Sequence, residues 1–375
     1  MNHRERVLAA LRHEKPDRIP MDFGGFSDTG IIVGAYEKLK AKLSIDGDTM
    51  LMDRLDQLAM IDERILRYFD IDTRRLSRKT PGKWGEALLN DGSIRDMWGV
   101  VWKEVGEGHY YPSADGPIAG EGLLSDIDRH HWPDPNDLDE VLPEFAEEAR
   151  RLHEETDYAV VFSFPGRLMS FGTYLRGFET WLIDMIHNAP FATALLDKGL
   201  EIQLAIGGKW LSVAGPYIDV IHISDDLGTQ HAPMISPSLF REMIKPRQIK
   251  LFKFIKERTN AKILLHSDGC VYPFIDDFLE AGVDILNPLQ SGVKNMEPRK
   301  LAEEFGGHLC FWGGIDTQNT LPFGTCQDVV DEVRRRIPEL GLQGGYVLAA
   351  SHNIQNDVSP ENICAMFESG RQFLL

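Results

Sequence analysis

Several features are scarce in this sequence, and each scarcity removes a class of function. No apolar run approaches the ~18 residues of a membrane span, so no membrane partner is expected. Cysteine is limited to Cys270, Cys310, Cys326 and Cys364, without a Cys-x-x-Cys spacing, which argues against a disulfide framework and suits a reducing cytoplasm. Basic residues are outnumbered, 40 Lys+Arg against 58 Asp+Glu for a formal charge of -18, and no basic run or aromatic-basic stripe stands out. A phosphate backbone or an anionic lipid surface is therefore not an expected partner, and no nucleic acid is anticipated. No Gly-x-Gly-x-x-Gly follows an early strand-like run, which weakens a dinucleotide site. The opening MNHRERVLAALRHEKPDRIP has only the apolar core VLAAL and carries Glu5 among its bases. It reads as an amphipathic helix stopped before Pro16, not as a signal or transit peptide, and the expected location is the cytoplasm.

What the chain has is strand-length apolar runs, most of them followed by helical periodicity. Eight stand out: Arg18–Phe23, Asp72–Arg78 (the most polar), Tyr158–Phe164, Ile218–Ser224, Lys262–His266, Val283–Pro288, Leu309–Trp312 and Gly345–Ala350. Alternating strands and helices argue for a parallel sheet, and eight units point to a closed (β/α)8 TIM barrel spanning residues 1–375 as one domain. A doubly wound open sheet is the competing architecture. One segment breaks the rhythm: from about residue 82 to 157, Gly, Asn and Asp turns separate short Trp- and Val-bearing runs before helix resumes. This predicts β-hairpins inserted between the second and third strands, covering part of the barrel mouth.

In a barrel the working face lies at the C-terminal ends of the strands, and the residues there are polar or glycine-rich. They include Asp22, Phe164, Asp225 with Asp226, His266 with Asp268, Asn287, Gly313-Gly314 with Asp316, and His352 with Asn353. Each alone has an ordinary explanation as a cap, a turn or a satisfied core residue. Barrel closure is what brings such ends together. His266, Asp268 and His352 are the expected metal set, since an imidazole, a carboxylate and a second imidazole fill three positions of a tetrahedral zinc and leave one open. Along a continuing strand, 266, 268 and 270 would share one face. Cys270 is thus an alternative ligand, which helix onset after Gly269 would turn away.

Several motifs together carry a resemblance: RERVLAALRHEKPDRIPMDFGG at the start, GTYLRGFETWLIDM (172–185), DDLGTQHAPMISPSLFREMIKP (225–246), LLHSDGCVYPFIDDFLEAGVDILNPLQ (264–290), GGIDTQNTLPFGT (313–325) and SHNIQNDVSPENICAMF (351–367). The chain resembles the uroporphyrinogen decarboxylase superfamily, and within it the cobalamin-dependent, zinc-containing methyltransferases. That resemblance implies a (β/α)8 barrel. The superfamily's decarboxylases hold porphyrinogen carboxylates with an Arg-Gln-Ala-Gly-Arg-like segment after the first strand, where this chain has MDFGGFSDTG. The methyltransferases place His-x-Cys after the fifth strand and Cys after the last; His266 matches, while Asp268 and His352 stand where the cysteines would be.

A harder His, Asp, His set makes a better Lewis acid than thiolates do and favours an oxygen substrate. The resemblance therefore implies methyl transfer between a small, methoxylated compound and a corrinoid (cobalamin) carried by a partner protein. In that reading Asp225, Asp226 or Asp22 is catalytic, and Phe164, His222, Asn287, Asp316 and Asn353 bind substrate, Asn353 also backing the metal histidine. A homodimer is compatible with it. The alternatives are a decarboxylase-like lyase of the same superfamily, and a barrel that binds a ligand or corrinoid partner without turnover.

Overall fold

The computed structural model describes residues 1–106 and 109–373. Seven strands, Thr73–Leu76, Ala159–Ser163, Val220–Ser224, Lys262–His266, Ile285–Asn287, Cys310–Ile315 and Tyr346–Ala350, pair in parallel, each with its neighbour in chain order. The eighth position belongs to the first apolar run, which is not a regular strand. Met21 bridges Leu348, Leu348 N donates to Pro20 O, Asp22 N donates to Leu348 O, and Asp72 N donates to Met21 O, each bond 2.9 Å. The run thus joins both edges of the sheet and completes an α/β barrel. Pro20 has no N–H to give, so the ladder here is a single bridge and not a strand.

Burial inside the barrel follows the two-residue period of its strands. Val161, Val220, Leu264, Ile285, Trp312, Val347 and Ala349 form one enclosed layer, closed by Val7 and Leu11 of the amino-terminal helix His3–Leu11. That helix starts on a capping box in which Asn2 and Glu5 satisfy each other's backbone N–H groups. Beyond this layer toward the C-terminal ends, the same inward column continues as Ser163, His222 and His266.

Two expectations need correction. The strand expected to end at Trp312 runs on through Gly313 and Gly314, to Ile315, at φ +98° and +99°. A Cβ on Gly313 would stand 3.1 Å from Asn287 Nδ2 and 3.2 Å from Ala350 O, so glycine lets the Asn287 amide approach this strand. A two-stranded hairpin, Leu51–Asp53 with Leu58–Ala59, was not anticipated.

The insertion does contain an antiparallel meander: Ala87–Leu88, Ile94–Arg95, Val101–Glu104 and Tyr110–Pro112. It lies against the helix Met169–Arg176, where Trp102 meets Tyr174 with ring centroids 5.3 Å apart and Ile118 N donates to Leu175 O at 2.9 Å. Among the described residues no helix is long and apolar enough to cross a membrane.

Candidate metal centre at the barrel mouth

The strand Lys262–His266 ends on His266, whose ring is buried and faces inward. Its Nδ1 lies 2.5 Å from Asn287 Oδ1, and the same amide donates through Nδ2 to Trp312 O at 2.9 Å. With its nitrogen committed to a carbonyl, Asn287 must present its oxygen, so His266 Nδ1 carries the hydrogen and Nε2 is left to face the mouth. Three carboxylates surround that nitrogen: Asp28 Oδ1 at 3.5 Å, Asp268 Oδ2 at 3.8 Å and Asp226 Oδ1 at 3.9 Å.

His352 is built the same way. Asn353 Oδ1 accepts from Gln355 Nε2 at 2.7 Å and from His352 Nδ1 at 2.7 Å, leaving His352 Nε2 3.6 Å from Asp268 Oδ2. Asp268 lies past the strand end, and other contacts hold it. Its Oδ1 accepts from Gln290 Nε2 at 2.9 Å, Gln290 Oε1 accepts from Gly269 N at 2.8 Å, and Asp268 N donates to Asp226 Oδ1 at 3.0 Å. Gly269, at φ +82°, turns the chain directly against Gly228, whose carbonyl carbon would be 2.4 Å from any Cβ there. In all three groups the atom turned away from the centre is fixed and the other points into it.

Asp28 was missed by the sequence reading. It sits in a one-turn 3-10 segment, Ser27–Thr29, where no periodicity marks a facing residue. One oxygen of each of Asp28, His266 and His352 (a ring nitrogen for the histidines) lies within 4.8 Å of the others; Asp226, His266 and Asp268 form a second such group. Asp28 Oδ2 is also 3.0 Å from His222 Nε2, close enough for a hydrogen bond but not aligned for one, and that buried nitrogen has no other partner among the described residues.

The electrostatics follow from this crowding. Burial opposes a charged imidazole at His266, yet Asp28 and Asp268 outweigh it and push the group up to about 10. Burial alone would raise Asp28, but His266 and His222 hold it well below the usual carboxylate range. Asp268 is likewise lowered, against burial, by His266 and His352. His222 is lowered, chiefly by burial. Asp28, Asp226 and Asp268 bring three carboxylates within 3.9 Å of His266 Nε2, negative charge that a divalent cation would offset. The donor set of carboxylate oxygens and imidazole nitrogens with fixed outer atoms therefore fits a metal.

Other expected site residues are used differently. Asp22 is buried, and its carboxylate accepts from Thr29 Oγ1 at 2.6 Å, Gly25 N and Trp312 Nε1 at 3.0 Å each, and Thr73 Oγ1. It ties down the loop that carries Asp28 and is not free for catalysis. Asp225 accepts from Met169 N at 3.1 Å and Ser170 N at 2.8 Å, capping the helix Met169–Arg176; burial pushes it up to about 6. Phe164 faces outward, its ring tip 1.9 Å from where a Cβ on Gly207 would be. Asn287 is fully buried with both amide ends occupied, so it orients His266 and does not meet substrate. Asp316 caps its own turn, accepting from Gln318 N at 2.7 Å and Asn319 Nδ2 at 3.1 Å. Asp226 does face the centre, 3.9 Å from His266, and His222 points inward under the stacked ring of Phe26. Cys270 is packed into the core.

An open cleft of about 640 Å³ adjoins the centre, lined by His352, Asn353 and Gln355 on the barrel and by Asp56, His109 and Tyr111 across from them. His109 and Tyr111 belong to the inserted segment, which thereby walls one side of the mouth.

The uroporphyrinogen decarboxylase (URO-D) family model matches residues 99–373. Among solved structures, a methyltransferase from Methanosarcina mazei superposes with a TM-score of 0.66 at 18% identity, covering 100% of this chain and 99% of that one. At that identity the likeness is one of fold. No curated protein matches the chain.

Proposed function

The chain belongs to the uroporphyrinogen decarboxylase family, and from that premise we propose that it is a zinc-dependent methyltransferase that takes a methyl group from a methoxylated small molecule, with the cobalt of a corrinoid as second substrate. The observation that carries this reading is the oriented cluster at the mouth, in which Asp268 Oδ2 lies 3.8 Å from His266 Nε2 and 3.6 Å from His352 Nε2, while Asn287, Gln290 and Asn353 hold the other atom of each group. The name of the structural neighbour, a methyltransferase, agrees with it.

His266, Asp268 and His352 would hold the zinc, with Asp28 beside them. Zinc in such a hard donor set supplies a Lewis acid for an ether oxygen, weakening its bond to the methyl carbon. The protein's own work is orientation and proton supply. Asn287 and Asn353 keep both imidazoles with Nε2 forward, and Gln290 keeps one oxygen of Asp268 free. Asp226, part-exposed and facing the centre, would relay a proton from solvent to the departing oxygen. The insertion narrows access to the mouth and limits competing water. A corrinoid-bearing protein partner would approach from the open cleft.

Mixing zinc-loaded protein with Co(I) cobalamin and a panel of methoxylated aromatics should give the methylcobalamin spectrum with at least one of them. Carbon dioxide release from a carboxylated substrate, with no methylcobalamin under any condition, would favour the lyase reading instead. A second measurement addresses the metal alone. Asn353→Ala, which frees the His352 ring, should weaken zinc binding about 10- to 100-fold in competition with a chromophoric chelator. An unchanged affinity would remove the positioning role of Asn353.

A further inference from the structure

Buried arginines in this protein are paired wherever they serve the fold. Arg6 and Arg18 meet Asp72, Arg74 meets Glu63, Arg176 meets Asp184, and Arg336 meets Glu332. Three arginines at the C-terminal ends of the second and third strands depart from that habit. Arg75 shares its strand face with Thr73 and is in register with inward-facing Val161, so it points into the barrel, where its Nη1 touches Met52 Sδ at 2.9 Å. Arg78 follows the end of the same strand, and Arg167 follows Ala159–Ser163, its guanidinium 5.7 Å from the ring centre of Tyr174. Among the described residues none of the three has a carboxylate within ion-pair distance, and neither Arg78 nor Arg167 donates a side-chain hydrogen bond.

These side chains are also crowded and open at once. Arg78 and Arg167 are exposed to solvent, and Arg75 is half-buried. Burial, with the like charges of Arg75 and Arg167, lowers Arg78 to about 10, and burial lowers Arg75. Burial opposes the charge on Arg167, but Tyr174, Asp28, Asp226 and Asp56 raise the group; the strand it follows pairs with Val220–Ser224, which carries His222 beside Asp28, so the cations and the metal cluster share one mouth. Planar guanidinium forks left unfilled at these strand ends suit a carboxylate, which they bind through paired charge-assisted hydrogen bonds.

We propose that Arg75, Arg78 and Arg167 form a carboxylate subsite beside the metal cluster, so that the small molecule acted upon is an aromatic acid. The choice of an aromatic body follows from the Tyr174 ring beside Arg167, itself packed on Trp102. This rests on the methyl-transfer reading for its reaction but not for its binding. The sequence region after the first strand lacks the arginines of porphyrinogen decarboxylases; here the cations come from the next two strands.

The test uses benzoate and benzyl alcohol as probes in isothermal titration against the full zinc-loaded chain. Benzoate should bind and the alcohol should bind at least about 10-fold more weakly. Arg78→Ala and Arg167→Ala should each weaken benzoate about 10- to 100-fold while leaving zinc content unchanged, since neither residue is a ligand in the cluster. Absence of benzoate binding at millimolar concentration, or an affinity that both variants retain, would overturn the proposal. Turnover separates the two readings. Arginine-dependent benzoate binding with no methyl transfer from 4-methoxybenzoate or any uncharged methoxyarene keeps the subsite and removes the methyltransferase. Equal transfer from charged and uncharged methoxyarenes, in wild type and variants alike, keeps the methyltransferase and removes the subsite.

Discussion

Replacing His266 with Ala should abolish stoichiometric zinc binding and lower methyl transfer by more than about 100-fold, the upper range for a residue that only supports a ligand. His266 is the common member of both possible ligand groups, so no rearrangement of Asp28, Asp226, Asp268 and His352 replaces it. A ligand that binds only the folded state stabilises it by about 4 kcal/mol when present at roughly a thousand times its Kd. With zinc, wild type should therefore melt well above the variant; after chelation, the two should approach each other. His352→Ala should also lose zinc affinity, though less completely, since Asp226, His266 and Asp268 stay grouped without it, and the double variant should be scarcely worse than His266→Ala alone, because both act through one shared ion. If each histidine serves only its own hydrogen bond to Asn287 or Asn353, the two costs add and a chelator leaves wild type unmoved. Asp28→Asn refines the test. Lost zinc affinity would make Asp28 a ligand, whereas retained affinity would leave it as a partner of His222.

Much of this architecture is legible in the sequence wherever burial imposes a period. Lys262–His266 has the bounds expected of it because Ile263, Leu264 and Leu265 are buried on both faces, and strands of that kind read as continuous apolar runs. Thr73–Leu76 is barely legible, since Arg74 leaves the barrel for Glu63 and Arg75 fills the mouth, so neither face is apolar. The metal set was argued from a shared strand face, but the strand stops at His266. Asp268 returns to the same point through Gln290 and Asp226, contacts that no local spacing encodes. Asp28 escapes for a related reason, being placed by hydrogen bonds from its loop to Asp22. The acidic residues read as catalytic were recognised as important, but a carboxylate that caps a helix and one that meets a substrate look alike in sequence. Only the count of donors around Asp22 and Asp225 separates them.

Asp72→Asn should cost about 3–5 kcal/mol of stability, the range for removing one partner from a buried charge network. Asp72 is fully buried at the closed end of the barrel. Its Oδ1 accepts from Arg6 Nη1 at 2.6 Å and lies 2.8 Å from His3 Nδ1, and its Oδ2 accepts from Arg18 Nη1 and Met21 N at 2.7 Å each. The residue thus fastens the amino-terminal helix and the irregular first barrel segment at once, and the amide would leave two buried guanidinium groups short of a counter-charge. Asp17→Asn offers the contrast. It removes a second partner of Arg6 from a half-exposed position, where about 0–1 kcal/mol is expected. Urea midpoints at constant m-value would measure both losses. Acid supplies an independent check. Burial alone would raise the Asp72 carboxyl, but His3, Arg18 and Arg6 hold it below its ordinary value. A depressed carboxylate contributes stability above its unfolded pKa of about 4 and loses it as pH falls through the folded value. The gap between wild type and Asp72→Asn should accordingly be constant near neutrality and narrow below about pH 4. A gap of less than about 1 kcal/mol at neutral pH, or one that does not change in acid, would mean that Arg6 and Arg18 are held by Asp17, Asp70 and backbone carbonyls instead.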